Sequence, residues 1–425
     1  MTIAKGVAKK LIVAEQTALG TVAAVDAATA EYMRRVTSTV DLSKETYESN
    51  EKRDDMQVAD MRHGAKSVGG ALSGELSPGS YQMLMAAVLR KAWVAGASDA
   101  ANNDVTAASS GAGTYAGTFT RDDPDESGES SGEGFSWLTD GFKVGDVVRM
   151  TGWASPATAN NNHNFLITAL TDTVMTVRSL AKTDIVAKAA GDAITTTVVG
   201  KKTYVPKTGH TNKYFTIEHN YSDIDRSEVF TDCKFSNMSV KLPPTGMGTI
   251  DFNVVGLNMT AYGTSEAPYF TGPSAMAETG VLAAVNGLIF VQGTAVALLT
   301  GLDFEVNGDS TVANPVVGSN TRPDVFDGKI RVSGNATVYF TDTTFQNYFI
   351  NETEVSIFCA FTDSDDANAE FLAFTLPRVK MGGSGKDDDD KGLVQTMPFT
   401  ALLNVSGGTG TNSEETTISI QDSTL

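Results

Sequence analysis

The stretch KIRVSGNATVYF, residues 329–340, decides the fold together with the elements after it. The segment reads as a strand carrying Ser333-Gly334. Asp342 then offers a cap to a short helix whose Phe345, Tyr348 and Phe349 share one face. Further strands fit 355–361 and 371–381, the second ending Arg378-Val379-Lys380. A Gly-rich turn leads to an apolar strand over 393–405, and a last strand fits 416–420. Upstream lie a strand at 296–306 and a polar loop at 308–328.

The same order of events occurs near the start of the chain. A strand at 36–42 is succeeded by the long polar stretch 43–66 and by a glycine-bearing strand at 68–76 with Ser73-Gly74. Ser77 and Pro78 suit the start of a helix. Tyr81, Leu84, Met85, Val88, Leu89 and Ala92 then form one apolar stripe, and Gly96 is a stop. Later come strands at 213–224 and 232–242, the latter ending Ser239-Val240-Lys241-Leu242. Next are a Pro243–Gly246 turn and a strand at 248–259. The shared order predicts two copies of one α+β unit.

Between the two halves of the first copy, composition shifts. Residues 97–134 are rich in Ser, Gly, Asp and Asn, and four short strand-and-turn signals lie between 141 and 199. We read 98–203 as a small all-β module inserted into the first unit. The resulting division is an N-terminal arm at 1–33, a first unit at 34–97 and 204–270, the inserted module, and a second unit at 271–425. The uncharged stretch 281–302 has the length of a membrane helix, but Asn286, Gly287, Gln292, Gly293 and Gly301 punctuate it. That spacing suits short buried strands.

The chain has 425 residues, with 32 Lys and Arg against 51 Asp and Glu, a net charge of −19. Its 41% hydrophobic content excludes a disordered polyanion, and its charge excludes nucleic-acid binding by an overall basic surface. Cys233 and Cys359 read as buried free thiols. The apolar run after Lys9-Lys10 is too short for a signal sequence, so the expectation is synthesis in the cytoplasm. His63, His163, His210 and His219 have no metal-ligand spacing, and the acidic runs 122–126, 363–366 and 387–390 read as solvated turns. Asp387–Lys391 also spells an enteropeptidase site, here read as a charged hairpin tip. No nucleophile elbow, phosphate loop or zinc motif is present. The expectation is no enzyme, no cofactor and no metal.

The order "vSG" strand, aromatic helix, strand ending LPRVK, Gly/Asp turn and QTMPFTA strand resembles the tail tube (major tail) proteins of long-tailed, siphovirus-type bacteriophages. The resemblance covers about 34–95 and 204–425; the acidic turn 387–390 is more charged than that pattern. It implies a mainly β chain with flanking helices: two tandem β-sandwich or half-barrel units, with the module as outer decoration. It also implies self-assembly into a homotrimeric, pseudo-hexameric ring, with a homohexamer as the alternative, and stacking of rings into a tube. The partners implied are a tape-measure protein and, transiently, double-stranded DNA in the lumen, and tail terminator and distal tail proteins at the ends; no membrane is implied. The loops 43–66 and 308–328 would reach the next ring through Glu45, Glu51, Arg53, Asp54, Asp55, Arg322 and Asp324. The inner wall should be net negative, so that DNA passes without sticking. Other readings are a capsid or baseplate protein, a surface-layer protein or adhesin, or a carbohydrate binder using Trp137 and Trp153, although both tryptophans read more readily as core.

Overall fold

A computed structural model describes residues 3–121, 136–283, 286–296, 298–387, 392–405 and 412–425. The acidic run 122–126 and residues 388–391 of the stretch Asp387–Lys391 lie outside the described residues.

The centre of the chain is one antiparallel layer of eight strands. In spatial order they are Thr37–Ser38, Met61–Glu75, Thr249–Gly256, Arg226–Leu242, Leu299–Asn307, Arg331–Tyr339, Val394–Ala401 and Phe371–Met381. The first four and the last four have the same arrangement, and Arg226–Leu242 joins them by pairing with Leu299–Asn307 from Asn237↔Asn307 to Leu242↔Leu302. Alternation decides which face is buried. Along 249–256, Ile250, Phe252 and Val254 are buried while Asn253 is exposed; along 394–401, Met397, Phe399 and Ala401 are buried while Thr396, Pro398 and Thr400 are exposed. This period of two is that of a sheet with one wet face.

A second layer covers the apolar face. The long strands at 226–242 and 371–381 take part in both layers. The first half of 226–242 pairs with Tyr214–Tyr221, which in turn pairs with Lys9–Gln16. The first half of 371–381 pairs with Val355–Thr362 and with Ser419–Asp422. Asp232 helps the first strand turn between layers, with φ +56°, and its carboxylate accepts a bond from the Gly20 amide at 2.7 Å. The core between the layers runs through both halves and includes Phe215, Phe230, Phe235, Phe252, Phe304, Phe374 and Phe399. Burying each such ring contributes roughly 1.5–3 kcal/mol.

Three expectations change. Residues 9–16, expected in a terminal arm, are a sheet strand with Leu11, Ile12, Val13 and Ala14 buried. The polar stretch 43–66 is largely a β-hairpin: Asp41–Glu48 pairs with the first half of Met61–Glu75, leaving 49–60 as the tip. The first helix spans Gln82–Leu89 instead of starting at Pro78, and Arg90, in the left-handed region at φ +58°, ends it before Gly96. Its stripe faces inward as expected, with Leu84, Met85, Val88 and Leu89 buried. The second helix, Thr344–Ile350, has its Thr344 amide bonded to the Asp342 carboxylate at 2.8 Å.

Strands between 98 and 198 form a separate seven-stranded sheet. It does not stand clear of the body. Its core, with Phe119, Trp137, Trp153 and Phe165, is continuous with Phe290, Phe358 and Phe371 of the second layer. The Gln421 side chain bonds Val147 and Val199 of this sheet region at 2.8 Å each. Beside it, buried Lys202 reaches Asp146 at 3.1 Å and Glu414 at 2.6 Å. Burial pushes the Asp146 carboxyl up, and Lys202 opposes that shift; the two carboxylates in turn hold Lys202 charged, above the usual lysine range. An ion of this kind is costly to strand. Lys202→Ala should therefore lower stability by about 3–5 kcal/mol, because two carboxylates lose their cation, and Lys202→Arg should recover part of the loss in urea unfolding.

Candidate assembly surface

The wet face of the eight-stranded layer is built from the residues that alternate with the core. One line across it runs Thr37, Ser73, Asp251, Ser239, Glu305, Ser333, Thr400, Lys380. Neighbouring lines add Glu75, Lys241, Asp303 and Arg331. Arg378, two residues before Lys380, continues the Arg331 line, so four carboxylates face four cations; at this edge Arg378 lies 2.6 Å from Glu354 and Lys380 3.6 Å from Glu352. Lys241 lies 3.9 Å from Asp251, and Asn237 and Asn335 donate to Glu305 and Asp303 at 2.6 and 3.1 Å. The face is polar and its strand charges balance, so most of the −19 charge lies elsewhere.

One apolar line on the covered side runs Gly74, Ile250, Val240, Phe304, Gly334, Phe399, Met381. The two glycines hold equivalent places for a steric reason. A Cβ on Gly74 would collide with the Tyr81 hydroxyl, and one on Gly334 with the Asp303 carbonyl and the Phe399 ring.

Among the described residues the layer ends in two open edges, one at 34–38 and one at the end of 371–381. The first edge is pinned from behind by His219, whose Nε2 lies 2.6 Å from the Ser38 hydroxyl. Lys9 donates to the Ser38 carbonyl at 3.0 Å. His219 is buried, which lowers its pKa; the Glu228 carboxylate 3.8 Å from its Nδ1 opposes this, and Lys9 and Arg35 add to it.

The contact residues expected from sequence fall on two arms that meet each other. Arg322 bonds Glu45 at 2.8 Å and the Ala313 carbonyl at 3.0 Å, and the Lys66 amide bonds the Asn320 carbonyl at 2.9 Å. Asp324 accepts the Tyr214 hydroxyl at 2.6 Å; burial first, then this bond, pushes that tyrosine up to about 12. At the hairpin tip Arg53 pairs with Asp55 at 3.0 Å, and Arg53 holds the Asp55 carboxyl below its usual range. Glu51 and Asp54 are exposed beside them. Sequence reasoning picked the charges and missed the apolar side chains between them. Tyr47, Met56, Val58 and Met61 on the first arm, and Val316, Val317 and Phe326 on the second, are all exposed. Met56 and Val58 within an otherwise polar tip were the available signal.

Trp137 and Trp153 are fully buried, Trp137 beneath the Arg121 guanidinium, so neither offers a platform for a sugar ring. Both cysteines are buried free thiols. Among the described residues no three His, Cys, Asp or Glu side chains converge as a metal site, and no helix is long and apolar enough to cross a membrane. The stretch 281–302 contains strands at Gly287–Val291 and Thr294–Ala295 and the start of a third at Leu299.

Burial of His219 makes stability depend on pH. A histidine whose folded pKa lies below 6.5 keeps its contribution at higher pH and loses it as pH falls through 6.5. Stability should therefore drop from about pH 7 toward pH 5, and His219→Gln, which can still bond Ser38, should show a shallower slope in denaturant titrations at each pH. Equal slopes would remove His219 as the cause.

The family model described as phage tail tube protein matches residues 6–401. Comparison with curated proteins gives no match.

Proposed function

The chain belongs to the phage tail tube protein family and is a structural component of a phage tail; from that premise we propose that it is the subunit of a hollow tube. Three chains close into a ring, rings stack, and the wet face of the eight-stranded layer lines the lumen. The observation that carries this reading is the in-chain joint at Asn237–Leu242 and Asn307–Leu302. Two equivalent four-strand arrays already sit edge to edge in one polypeptide, in a single layer with one polar face. A layer of this kind with two open edges is a template for further pairing, and a rotation that closes on itself satisfies both.

The lumen chemistry supports a passive conduit. Serine, threonine and asparagine dominate the polar lines, and the carboxylates and cations among them balance. Phosphate of passing double-stranded DNA meets no cationic stripe, so counterion release gives it nothing to hold. The same wall would enclose a tape-measure protein before ejection. Tail terminator and distal tail proteins would cap the two ends of the stack.

The arms support stacking. They project exposed apolar side chains beyond the layer, and single-chain burial leaves these without cover. The charged residues Glu45, Arg322 and Asp324 brace the arms from within, while Glu51, Arg53, Asp54 and Asp55 occupy the tip.

Electron microscopy of the purified chain tests the reading. Uniform tubes of stacked rings, with three chains per ring by mass, are expected; spherical shells, flat lattices or a persistent monomer at high concentration contradict it. Replacing the tip 50–59 with a short Gly-Ser turn should leave single rings and abolish long tubes. Tubes of normal length from that variant would take stacking away from the first arm.

A further inference from the structure

How one chain meets the next in such a ring is written in the registers of the layer. Across it, four strand positions repeat. The polar line is Thr37, Ser73, Asp251, Ser239, then Glu305, Ser333, Thr400, Lys380. Thr37 opposite Ser73 corresponds to Glu305 opposite Ser333, and Ser38 opposite Leu72 corresponds to Val306 opposite Val332. Asp251 corresponds to Thr400, and Ser239 to Lys380. The in-chain joint Ser239↔Glu305 then has one counterpart still missing: Lys380 with the Thr37 of a second copy.

We propose that the edge at Lys380–Gly383 of one chain pairs antiparallel with the edge at Arg34–Thr37 of the next copy, in the register Lys380↔Thr37, Met381↔Val36, Gly382↔Arg35 and Gly383↔Arg34. This rests on the ring reading above and specifies its joint. The template is the observed run Ser239↔Glu305, Val240↔Phe304, Lys241↔Asp303 and Leu242↔Leu302.

Three observations commit the site to a second copy of this chain. First, among the described residues no strand of the same chain pairs with the outer edge of either segment: Thr37 pairs only with Ser73, and Lys380 and Met381 only with Thr400 and Phe399. Second, burial differs between equivalent positions in the direction a missing neighbour dictates. Phe304, inside the in-chain joint, is 1% exposed, whereas Val36, one residue before Thr37, is 58% exposed. Val36 lies at one of the two edges where the array is interrupted, and an apolar side chain left open there is what a repeat cut at its boundary presents; at the other edge Met381 is 8% exposed. Third, the free edge has a defined start. Val355 of the second layer pairs with Val379, so cover from the same chain stops one residue before Lys380. In the first copy the corresponding second-layer strand stops at Phe215↔Cys233, which clears the longer edge that the in-chain joint uses. The inter-chain joint is therefore shorter than the internal one, and its last two places are Gly382 and Gly383, which admit Arg35 and Arg34 without side-chain crowding. Arg35 is held from behind by the Gly6 carbonyl at 3.0 Å, and Arg34 by the Thr279 carbonyl at 2.8 Å.

Directly opposed strand residues have Cα atoms about 4.5–5.5 Å apart, within disulfide reach. The test is the double variant Thr37→Cys with Lys380→Cys, in the full chain, assembled and then oxidised. Both positions lie on the wet face, and the native cysteines are buried, so the new thiols are the reactive pair. A second double variant, Val36→Cys with Met381→Cys, reads the same register on the covered face should the first fail to fold. The control is Lys44→Cys with Lys380→Cys, which is out of register by about seven residues. The expected result is conversion of oxidised assemblies into covalent, ring-sized species on a non-reducing gel for the in-register variants, and chain-sized bands for the control. Assemblies of normal appearance whose in-register variants crosslink no more than the control would overturn the joint and leave the ring reading standing. Absence of rings from the unmodified chain would instead remove the ring reading, and the joint with it.

Discussion

An antiparallel sheet with one wet face cannot end without cost. Each terminal strand leaves a row of amide and carbonyl groups that only water or another strand can satisfy. In this chain that constraint organises nearly everything else. The eight-stranded layer is buried on one side by a second layer, by the helix Gln82–Leu89 and by a common core. On the other side it is polar, and at its two ends it is open. One solution exists within the polypeptide, where Arg226–Leu242 meets Leu299–Asn307; we propose that another copy supplies the same geometry outside it.

The arrangement also explains where side chains had to be small or rigid. Gly74 and Gly334 sit on the same transverse line, each against a neighbour that leaves no room for a Cβ. The bend that carries Arg226–Leu242 from one layer to the other places Asp232 at a positive φ, with its carboxylate capping the Gly20 amide. The inserted seven-stranded sheet is tied to the second layer by shared aromatic core, by Gln421 and by the Lys202 ion cluster. It is thus part of the folded body, although among the described residues its strands pair only among themselves.

Much of this was legible in the sequence because strand and helix periodicity are local. The Ser73-Gly74 and Ser333-Gly334 strands, the stripe from Tyr81 to Leu89, the turns after Leu242 and Met381, and the short strands within 281–302 all carry their signal in a few adjacent residues. What was not legible depended on distant partners. Lys9–Gln16 carries only a four-residue apolar run, too short to separate strand from arm by itself, and pairing with Tyr214–Tyr221 makes it a strand. The hairpin arm at 43–64 reads as a polar loop because both its faces meet water, which erases alternation. Trp137 and Trp153 read from sequence as core more readily than as sugar platforms, and both are buried. Of the candidate assembly surface, charge points to Glu45 and Arg322, which brace two arms together, while the exposed Met56 and Val58 beside the tip carry no charge to mark them.

The central claim is that the open edges of this layer become interior on assembly. Hydrogen–deuterium exchange by mass spectrometry, comparing unassembled chain with tubes, addresses it directly. Amides in 34–37 and 380–383 are expected to gain protection in tubes, while those of the in-chain joint at 237–242 and 302–307 are protected in both states. Unchanged, rapid exchange at both edges in well-formed tubes would contradict it.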